Sequence, residues 1–308
     1  KEICLYTKTY PLLTVAVGAP LIIGGQMYNC GVTIVGGKVC GIIPKTYLPN
    51  YREFYERRWF SSSEDLCQKC IDATELGFDE RYEIPVGRDL IFKIGDGTLV
   101  GVEICEDLWT PMPPSTMLTL NGAEVIVNLS ASNETVGKRR HRRDLVKHQS
   151  LICSCIYAYT SSGYTESTQD LVFSGHSMVT ENGNLIAENE MELQSDYMLI
   201  QDADLSKVRC ERRKNKSVRD AASNYAKIDP VRIVNCCCGE LRADGSFYKL
   251  NKLPFVPNTR EERMERCTSI FNIQVTGLAQ RLKTIGANAV IGISGGLDST
   301  LALLVCVK

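Results

Sequence analysis

The chain has 308 residues, room for one large domain or two ordinary ones, with 44% hydrophobic and 23% charged residues and a formal net charge of −1. That is the composition of a soluble globular protein with a sizeable core, and the near-neutral charge gives no global case for a nucleic-acid or membrane partner. No apolar run approaches the roughly 18 residues of a membrane span, Lys1-Glu2-Ile3-Cys4 does not read as a signal peptide, and fourteen cysteines in such a chain read as reduced cytosolic thiols.

Leu12 to Ile23 is β-branched and apolar, which predicts a strand ending near Pro20. Asn29 to Val35 and Lys38 to Ile43 predict a hairpin with Gly36-Gly37 as its turn. Pro44 to Phe60 is aromatic, charged and proline-broken, unlike a core element, and residues 61 to 77 are polar, helical or loose. Leu90 to Ile94 and Leu99 to Ile104 form a second hairpin through Asp96-Gly97. A short helix is set up by Pro113-Pro114-Ser115, a buried strand runs from Glu124 to Leu129, a helix with a basic start from Lys138 to Cys155, and a strand from Ile156 to Ser162. Leu171 to Glu188 predicts a long hairpin turning at Asn182-Gly183. Paired strands between helices, without a short repeat, predict a layered α/β sandwich over residues 1–203.

From 204 to 255 charges, scattered prolines and Cys236-Cys237-Cys238 replace this pattern, and the stretch reads as a partly helical linker. A second pattern follows over 256–308: a helix from Glu261 to Ile285, a strand from Ala289 to Ile293 and the loop Ser294-Gly295-Gly296-Leu297-Asp298-Ser299. Both ends break off mid-pattern, so the chain is expected to be part of something longer.

Chemistry concentrates at the end of the second hairpin. Polar residues and Trp109 replace the alternation directly after Cys105, so the backbone turns sharply there. A thiol at a strand-to-turn edge sits beside backbone N–H groups, which suits a nucleophile and a later oxyanion; the alternative is a buried cysteine serving as a small hydrophobe. Lys45 also follows a strand, and strand ends in such sheets converge on one crevice, where its ammonium could face an oxyanion. In the glycine loop, Gly295 and Gly296 let backbone N–H groups crowd around phosphate oxygens, Ser294 and Ser299 add hydroxyls, and Asp298 could help hold Mg²⁺.

Pro44-Lys45-Thr-Tyr-Leu-Pro-Asn-Tyr51-Arg-Glu-Phe-Tyr-Glu56-Arg, together with Val102-Glu-Ile-Cys105-Glu-Asp, resembles the glutaminase half of bacterial glutamine-dependent NAD synthetases, in the nitrilase (carbon–nitrogen hydrolase) superfamily. Ser294 to Ser299 is similar to the pyrophosphate loop of the synthetase half. The resemblance implies a nitrilase-like α-β-β-α sandwich, a linker, and the first strand-loop-helix of a parallel α/β ATP-pyrophosphatase-type domain. It implies a Glu-Lys-Cys triad with Cys105 as nucleophile and Lys45 on the oxyanion, while Glu56 matches a second glutamate that places Lys45 and the substrate amide. Tyr51, Trp109, Ser132 and Lys138 fall where the family holds the glutamine α-amino and carboxylate groups. Lys138 stands where some relatives carry arginine.

The implied enzyme is a cytoplasmic, homo-oligomeric ligase of NAD biosynthesis that takes glutamine, ATP with Mg²⁺ and nicotinate adenine dinucleotide, with no cofactor in the glutaminase part. The triad's base should lie upstream of Lys45, where Glu2 is the only acid and sits in the wrong part of the pattern, so the chain alone is expected to be poorly active. Another amidase or amidotransferase of the superfamily, or an inactive assembly fragment, are the rival readings. Cys67-Gln-Lys-Cys70 lacks a second metal-ligand pair, and Lys138 to Arg143 reads as a solvated basic face with one substrate-facing lysine.

Overall fold

The structure is a computed structural model; it describes residues 1–163, 165–166, 171–173, 175–190, 197–225, 228–236, 245–248, 250, 252–253, 255–257 and 259–308. These fall into two compact units, 1–248 and 249–308. In the first unit α1 (Glu2–Thr9) precedes β1 (Thr14–Ile23), β2 (Gln26–Val35) and β3 (Lys38–Pro44), an antiparallel three-stranded sheet. The small pair β4 (Cys70–Asp72) and β5 (Glu83–Pro85) follows. A seven-stranded sheet is then built from β6 (Leu90–Ile94), β7 (Thr98–Ile104), β8 (Val125–Ser130), β9 (Ile156–Ser161), β10 (Met178–Glu181), β11 (Asn184–Glu188) and β12 (Arg232–Asn235). Helices α2 (Pro114–Leu120) and α3 (Lys138–Ile152) connect β7, β8 and β9, which run parallel; α4 (Leu205–Lys214) and α5 (Lys216–Tyr225) precede β12.

Three apolar layers hold four structural ones together. Alternate residues of β2, Tyr28, Cys30, Val32 and Ile34, face outward onto α1 and the β4–β5 pair. The opposite face meets the large sheet through Val35, Ile43, Phe92, Val100 and Val102. A Cβ on Gly31 would stand 3.2 Å from Val102 Cγ1, and one on Gly41 would stand 2.7 Å from Phe92 Cε1, so the sheets approach closely where glycine leaves room. Beyond the large sheet, Leu118, Ile126, Val146 and Tyr157 pack under α2 and α3. The layers are therefore helix, sheet, sheet, helix, the sandwich that the resemblance implies.

Most predicted strands lie within two residues of the observed ones. β1 runs through Pro20 to Ile23 because it lies at the edge of its sheet, where a missing N–H is tolerated. The β10–β11 turn at Asn182-Gly183 has positive φ at both residues, but the strands begin only at Met178 rather than at Leu171.

The residues after 204, expected as a linker, supply two helices and an edge strand to the first unit. Arg209 pairs with Glu124 at 2.6 Å, the Arg212 guanidinium donates to the carbonyls of Gly122, Ala123, Cys153 and Ser154, and Arg232 pairs with Asp89 at 2.7 Å. Charge in this stretch reports side chains reaching buried carbonyls, which composition alone mistakes for solvation. Cys237 and Cys238 lie outside the described residues.

The second unit contains α6 (Arg260–Ile285) and α7 (Leu297–Val307). The predicted strand from Ala289 to Ile293 is not formed; Val290 is 97% exposed. A β-branched run becomes a strand only with a neighbour to pair with, and none of the described residues of this unit provides one. The helix after the glycine loop forms as predicted, with Gly296 at its N-cap and Gly295 at φ +84°. No helix among the described residues is long and apolar enough to cross a membrane.

Candidate functional site

Lys45 directly follows β3, with its N–H donating to the Asn29 carbonyl at 2.8 Å. Its side chain is almost wholly buried, and the ammonium donates to both Glu56 oxygens, at 2.8 and 2.7 Å. Glu56 opens a single 3-10 turn (Glu56–Arg58) in the proline-broken segment, which is why that segment resembles no core element. Burying an ammonium is tolerated only with such a partner, so the pair fixes its own geometry.

Cys105 follows β7 and starts a 3-10 helix (Cys105–Trp109), with φ +47°. Positive φ at a residue carrying a side chain costs on the order of 1–3 kcal/mol and persists only where the surroundings impose it. Asp107 fixes the backbone just before Cys105. The buried carboxylate accepts the Ile104 N–H on Oδ2 at 3.1 Å, and on Oδ1 the N–H groups of Thr46 at 3.1 Å and Tyr47 at 2.8 Å. One side chain thus ties the turn at Cys105 to the turn after Lys45. Burial, opposed by the Tyr47 hydrogen bond and helped by the charge of Glu103, pushes the Asp107 carboxyl up to about 7.

Glu103, also buried, accepts the Ser115 N–H at 2.7 Å and the Tyr157 hydroxyl, to which Asn128 donates at 3.0 Å. This polar cluster seats the start of α2 against the strand that carries Cys105.

Two cavities meet at Cys105 and Glu56. One, about 430 Å³, is lined by Lys45, by Ala16 to Gly18 of β1 and by Thr160 to Ser162. The other, about 370 Å³, is lined by Tyr51, Glu53, Glu106, Trp109, Ser132 and Lys138 among others. The structure therefore brings together all seven residues singled out in the first unit.

The second cavity carries charges of both signs, with Glu53, Glu56 and Glu106 facing it alongside Arg52 and Lys138. Tyr51 donates its hydroxyl to Glu106 Oε1 at 2.7 Å, and burial followed by that bond pushes the phenol up to about 12. The Lys138 ammonium donates to Asn133 Oδ1 and lies 5.6 Å from the Phe54 ring centroid and 5.8 Å from that of Trp109. Burial first, then the Arg142 charge, lower its pKa. Glu106 with Tyr51, and Lys138 joined to Glu53 through Asn133, place carboxylates and an ammonium in one cavity beside Cys105, groups able to pair with both ends of a zwitterion.

Glu106, Glu53 and Asn133 were not singled out from the sequence. Glu106 could have been, since it adjoins the cysteine; Asn133, which donates to Glu53 Oε1 at 2.6 Å, gives no local signal. The expected solvated face of α3 is a correction: Arg142 is fully buried and Arg139 largely so, because Glu134 and Glu188 pair with them.

In the second unit, the Ser294 and Ser299 hydroxyls lie 3.2 Å apart, and Ser299 and Thr300 donate to the Gly296 carbonyl at 3.0 and 2.9 Å. Gly295, Gly296 and Asp298 are exposed beside them.

Residues 7–213 match the family model described as carbon-nitrogen hydrolase. The glutamine-dependent NAD(+) synthetase of Mycobacterium leprae is 38% identical over 307 residues, covering 96% of this chain and 43% of the relative. Among solved structures, a glutamine-dependent NAD(+) synthetase from Cytophaga hutchinsonii is similar at TM-score 0.50 and 28% identity, over 61% of this chain and 29% of that one. A carbon-nitrogen hydrolase from Helicobacter pylori G27 shares the fold at TM-score 0.54 and 17% identity, covering 75% of each chain. The chain spans less than half the length of the curated relatives first matched.

Proposed function

The chain belongs to the carbon–nitrogen hydrolase family, and from that premise we propose that Cys105 attacks the side-chain amide of glutamine and releases ammonia. The observation that carries this reading is the meeting of Cys105 with the Lys45–Glu56 pair beside a cavity lined by Glu106 next to the thiol and by Lys138 on α3. Glu106, with Tyr51 on its carboxylate, takes the α-amino group, and Lys138 takes the α-carboxylate. Trp109 and Ser132 wall the space between.

The Cys105 sulfur adds to the amide carbon, and the oxygen that gains the electron pair faces the Lys45 ammonium. Collapse expels ammonia, the proton lost by the thiol ending on the leaving nitrogen, and leaves a γ-glutamyl thioester. Water then adds to the thioester, giving glutamate and the free thiol. An oxyanion donor in place before the reaction needs no reorganisation as charge develops, and each such donor is worth on the order of a hundred- to a thousandfold in rate.

The proton acceptor for the thiol is the weak point of the chain's own residues. Glu2, the only acid before Lys45, lies in α1 on the outer face of the three-stranded sheet and lines neither cavity. Glu56 is engaged by Lys45. We therefore read the chain as competent to form the thioester slowly, and as a poor glutaminase in steady state.

In the full-length relatives' activity, ammonia would pass to an ATP-dependent step that amidates nicotinate adenine dinucleotide. The name of the Mycobacterium leprae relative supports that reading, as does the loop from Ser294 to Ser299. Gly295 and Gly296 offer backbone N–H groups to a pyrophosphate, Ser294 and Ser299 hydroxyl donors, and Asp298 a carboxylate for Mg²⁺. For function, the hydrolase site lies within residues 1–203 and the nucleotide loop within 256–308, while residues 204–248 belong to the first unit.

Trapping tests the thioester directly. Glutamine incubated for hours with hydroxylamine and the chain should give γ-glutamyl hydroxamate, and Cys105→Ala should give none. Hydroxamate from the alanine variant, or none from the wild type, contradicts the proposal.

A further inference from the structure

We propose that Arg142, which touches neither cavity, is a positioning residue that sets the amino-acid head-group pocket from behind. The inference rests on the glutamine reading above and goes beyond it by naming what holds the Lys138 end of the pocket in place.

Arg142 lies one turn beyond Lys138 on α3, so the two side chains share a helix face. Its guanidinium is fully buried and spreads four hydrogen bonds over the loop that follows β8 and its brace. Nη2 donates to Ser132 Oγ at 3.3 Å and to the Asn133 carbonyl at 3.2 Å. Nη1 donates to Glu134 Oε2 at 3.1 Å and to His176 Nδ1 at 2.9 Å. Three consecutive residues, 132–134, therefore hang on one planar group.

Two of those residues shape the pocket. Ser132 lines it, and Asn133 holds the Lys138 ammonium with its amide oxygen and Glu53 with its amide nitrogen. A shift of Asn133 thus moves the charge proposed to meet the α-carboxylate. The far side is braced as well. His176 Nε2 lies 2.8 Å from Glu188 Oε1, and Glu188 also takes Arg143 at 2.9 Å. The Arg142 donor on one ring nitrogen and the Glu188 carboxylate on the other assign Nδ1 as acceptor and Nε2 as donor.

A buried guanidinium is a costly way to pack a helix against a sheet, and an apolar side chain would do so at less expense in desolvation. What it adds is a rigid fork that reaches acceptors in two directions, which a lysine ammonium cannot reproduce. The arrangement fits a demand for placement of the loop rather than for stability.

The test separates the thiol from the pocket. Cys105 is alkylated with iodoacetamide, a small neutral reagent, with and without L-glutamine or glutaramide; the latter keeps the amide and lacks the α-amino and α-carboxylate groups. Arg142→Lys should be alkylated within about twofold of the wild-type rate. It should need at least about tenfold more glutamine for half-protection, with glutaramide protection unchanged. His176→Gln, which keeps Arg142 and removes its brace, should shift glutamine protection the same way by about threefold, and it carries the test if Arg142→Lys does not fold. Glutamine protection at the wild-type concentration in the folded variants would overturn the inference, as would an equal loss of glutaramide protection. A wild-type protein that glutamine does not protect would instead overturn the glutamine reading, and the inference with it.

Discussion

The carboxylate of Asp107 accepts the backbone N–H of Thr46 at 3.1 Å, so the residue after Lys45 hangs from the turn that begins at Cys105. With its other oxygen the same carboxylate holds the Ile104 N–H just before the cysteine. Two strand ends from different sheets are thereby placed relative to one another by one buried side chain.

Asp107→Asn keeps one acceptor oxygen and replaces the other with a donor. The new amide either faces the Ile104 N–H or turns toward Thr46 and Tyr47, and one set of N–H groups loses its acceptor. A buried polar group left unpaired costs about 1–3 kcal/mol. Chemical denaturation should show a loss of that size, and alkylation of Cys105 should slow further than the stability change explains. Wild-type alkylation kinetics in a folded Asp107→Asn protein would show that the clamp has no bearing on the nucleophile.

Lys45→Met should reduce thioester formation on the order of a hundred- to a thousandfold, the usual effect of removing one oxyanion donor. It should also leave Glu56 without its ion pair. The rate of γ-glutamyl hydroxamate formation measures the first effect. A variant that retains more than about a tenth of the wild-type rate would mean that Lys45 faces no developing charge.

His176 is buried, and its imidazole is held down to about 4 by burial first, against the opposing Glu188 hydrogen bond, with the Arg139 and Arg142 charges adding to the depression. The sign follows from the unfolded chain, where a histidine binds its proton near pH 6.5. Between those values the unfolded state carries more protons, so stability contributed by the neutral ring is complete above about pH 6.5 and falls as pH drops toward 4. The loss is on the order of 3 kcal/mol across that window. Urea midpoints measured from pH 7 to 4 should fall more steeply for the wild type than for His176→Gln. Parallel curves would mean that the ring protonates in place.

Steady-state ammonia release by this chain should be slow. A positioned base contributes about a hundred- to ten-thousandfold, and Glu2 lines neither cavity. An ordinary enzymatic turnover, lost on Glu56→Gln, would assign the base to Glu56 and remove the need for another.

Much of this arrangement was legible in the chain because it is local. Asp96-Gly97 and Gly36-Gly37 announced hairpins, and the break in alternation at Cys105 announced the turn. Lys45 was legible from its place at a strand end, but Glu56 came from a resemblance, since nothing local says that two residues eleven apart, one in a proline-broken loop, form an ion pair. Arg142 read as solvated because a buried guanidinium and an exposed one look alike in sequence; its acceptors come from Ser132 to Glu134 and from His176. Ala289 to Ile293 read as a strand because apolar β-branched runs do, and pairing partners are a property of the fold. The roles of Asp107 and Asn133 are equally non-local.

The central claim is that Cys105 is the nucleophile for a glutamine side chain, and fourteen cysteines make its test selective. The chain is treated with 6-diazo-5-oxo-L-norleucine, a glutamine-shaped electrophile, and the modified thiols are mapped by peptide mass spectrometry over time. Labelling should occur first at Cys105, slow when L-glutamine is added, and vanish from that peptide in Cys105→Ala. Labelling spread over the exposed thiols Cys67, Cys70 and Cys267, with Cys105 no faster and glutamine without effect, would contradict it.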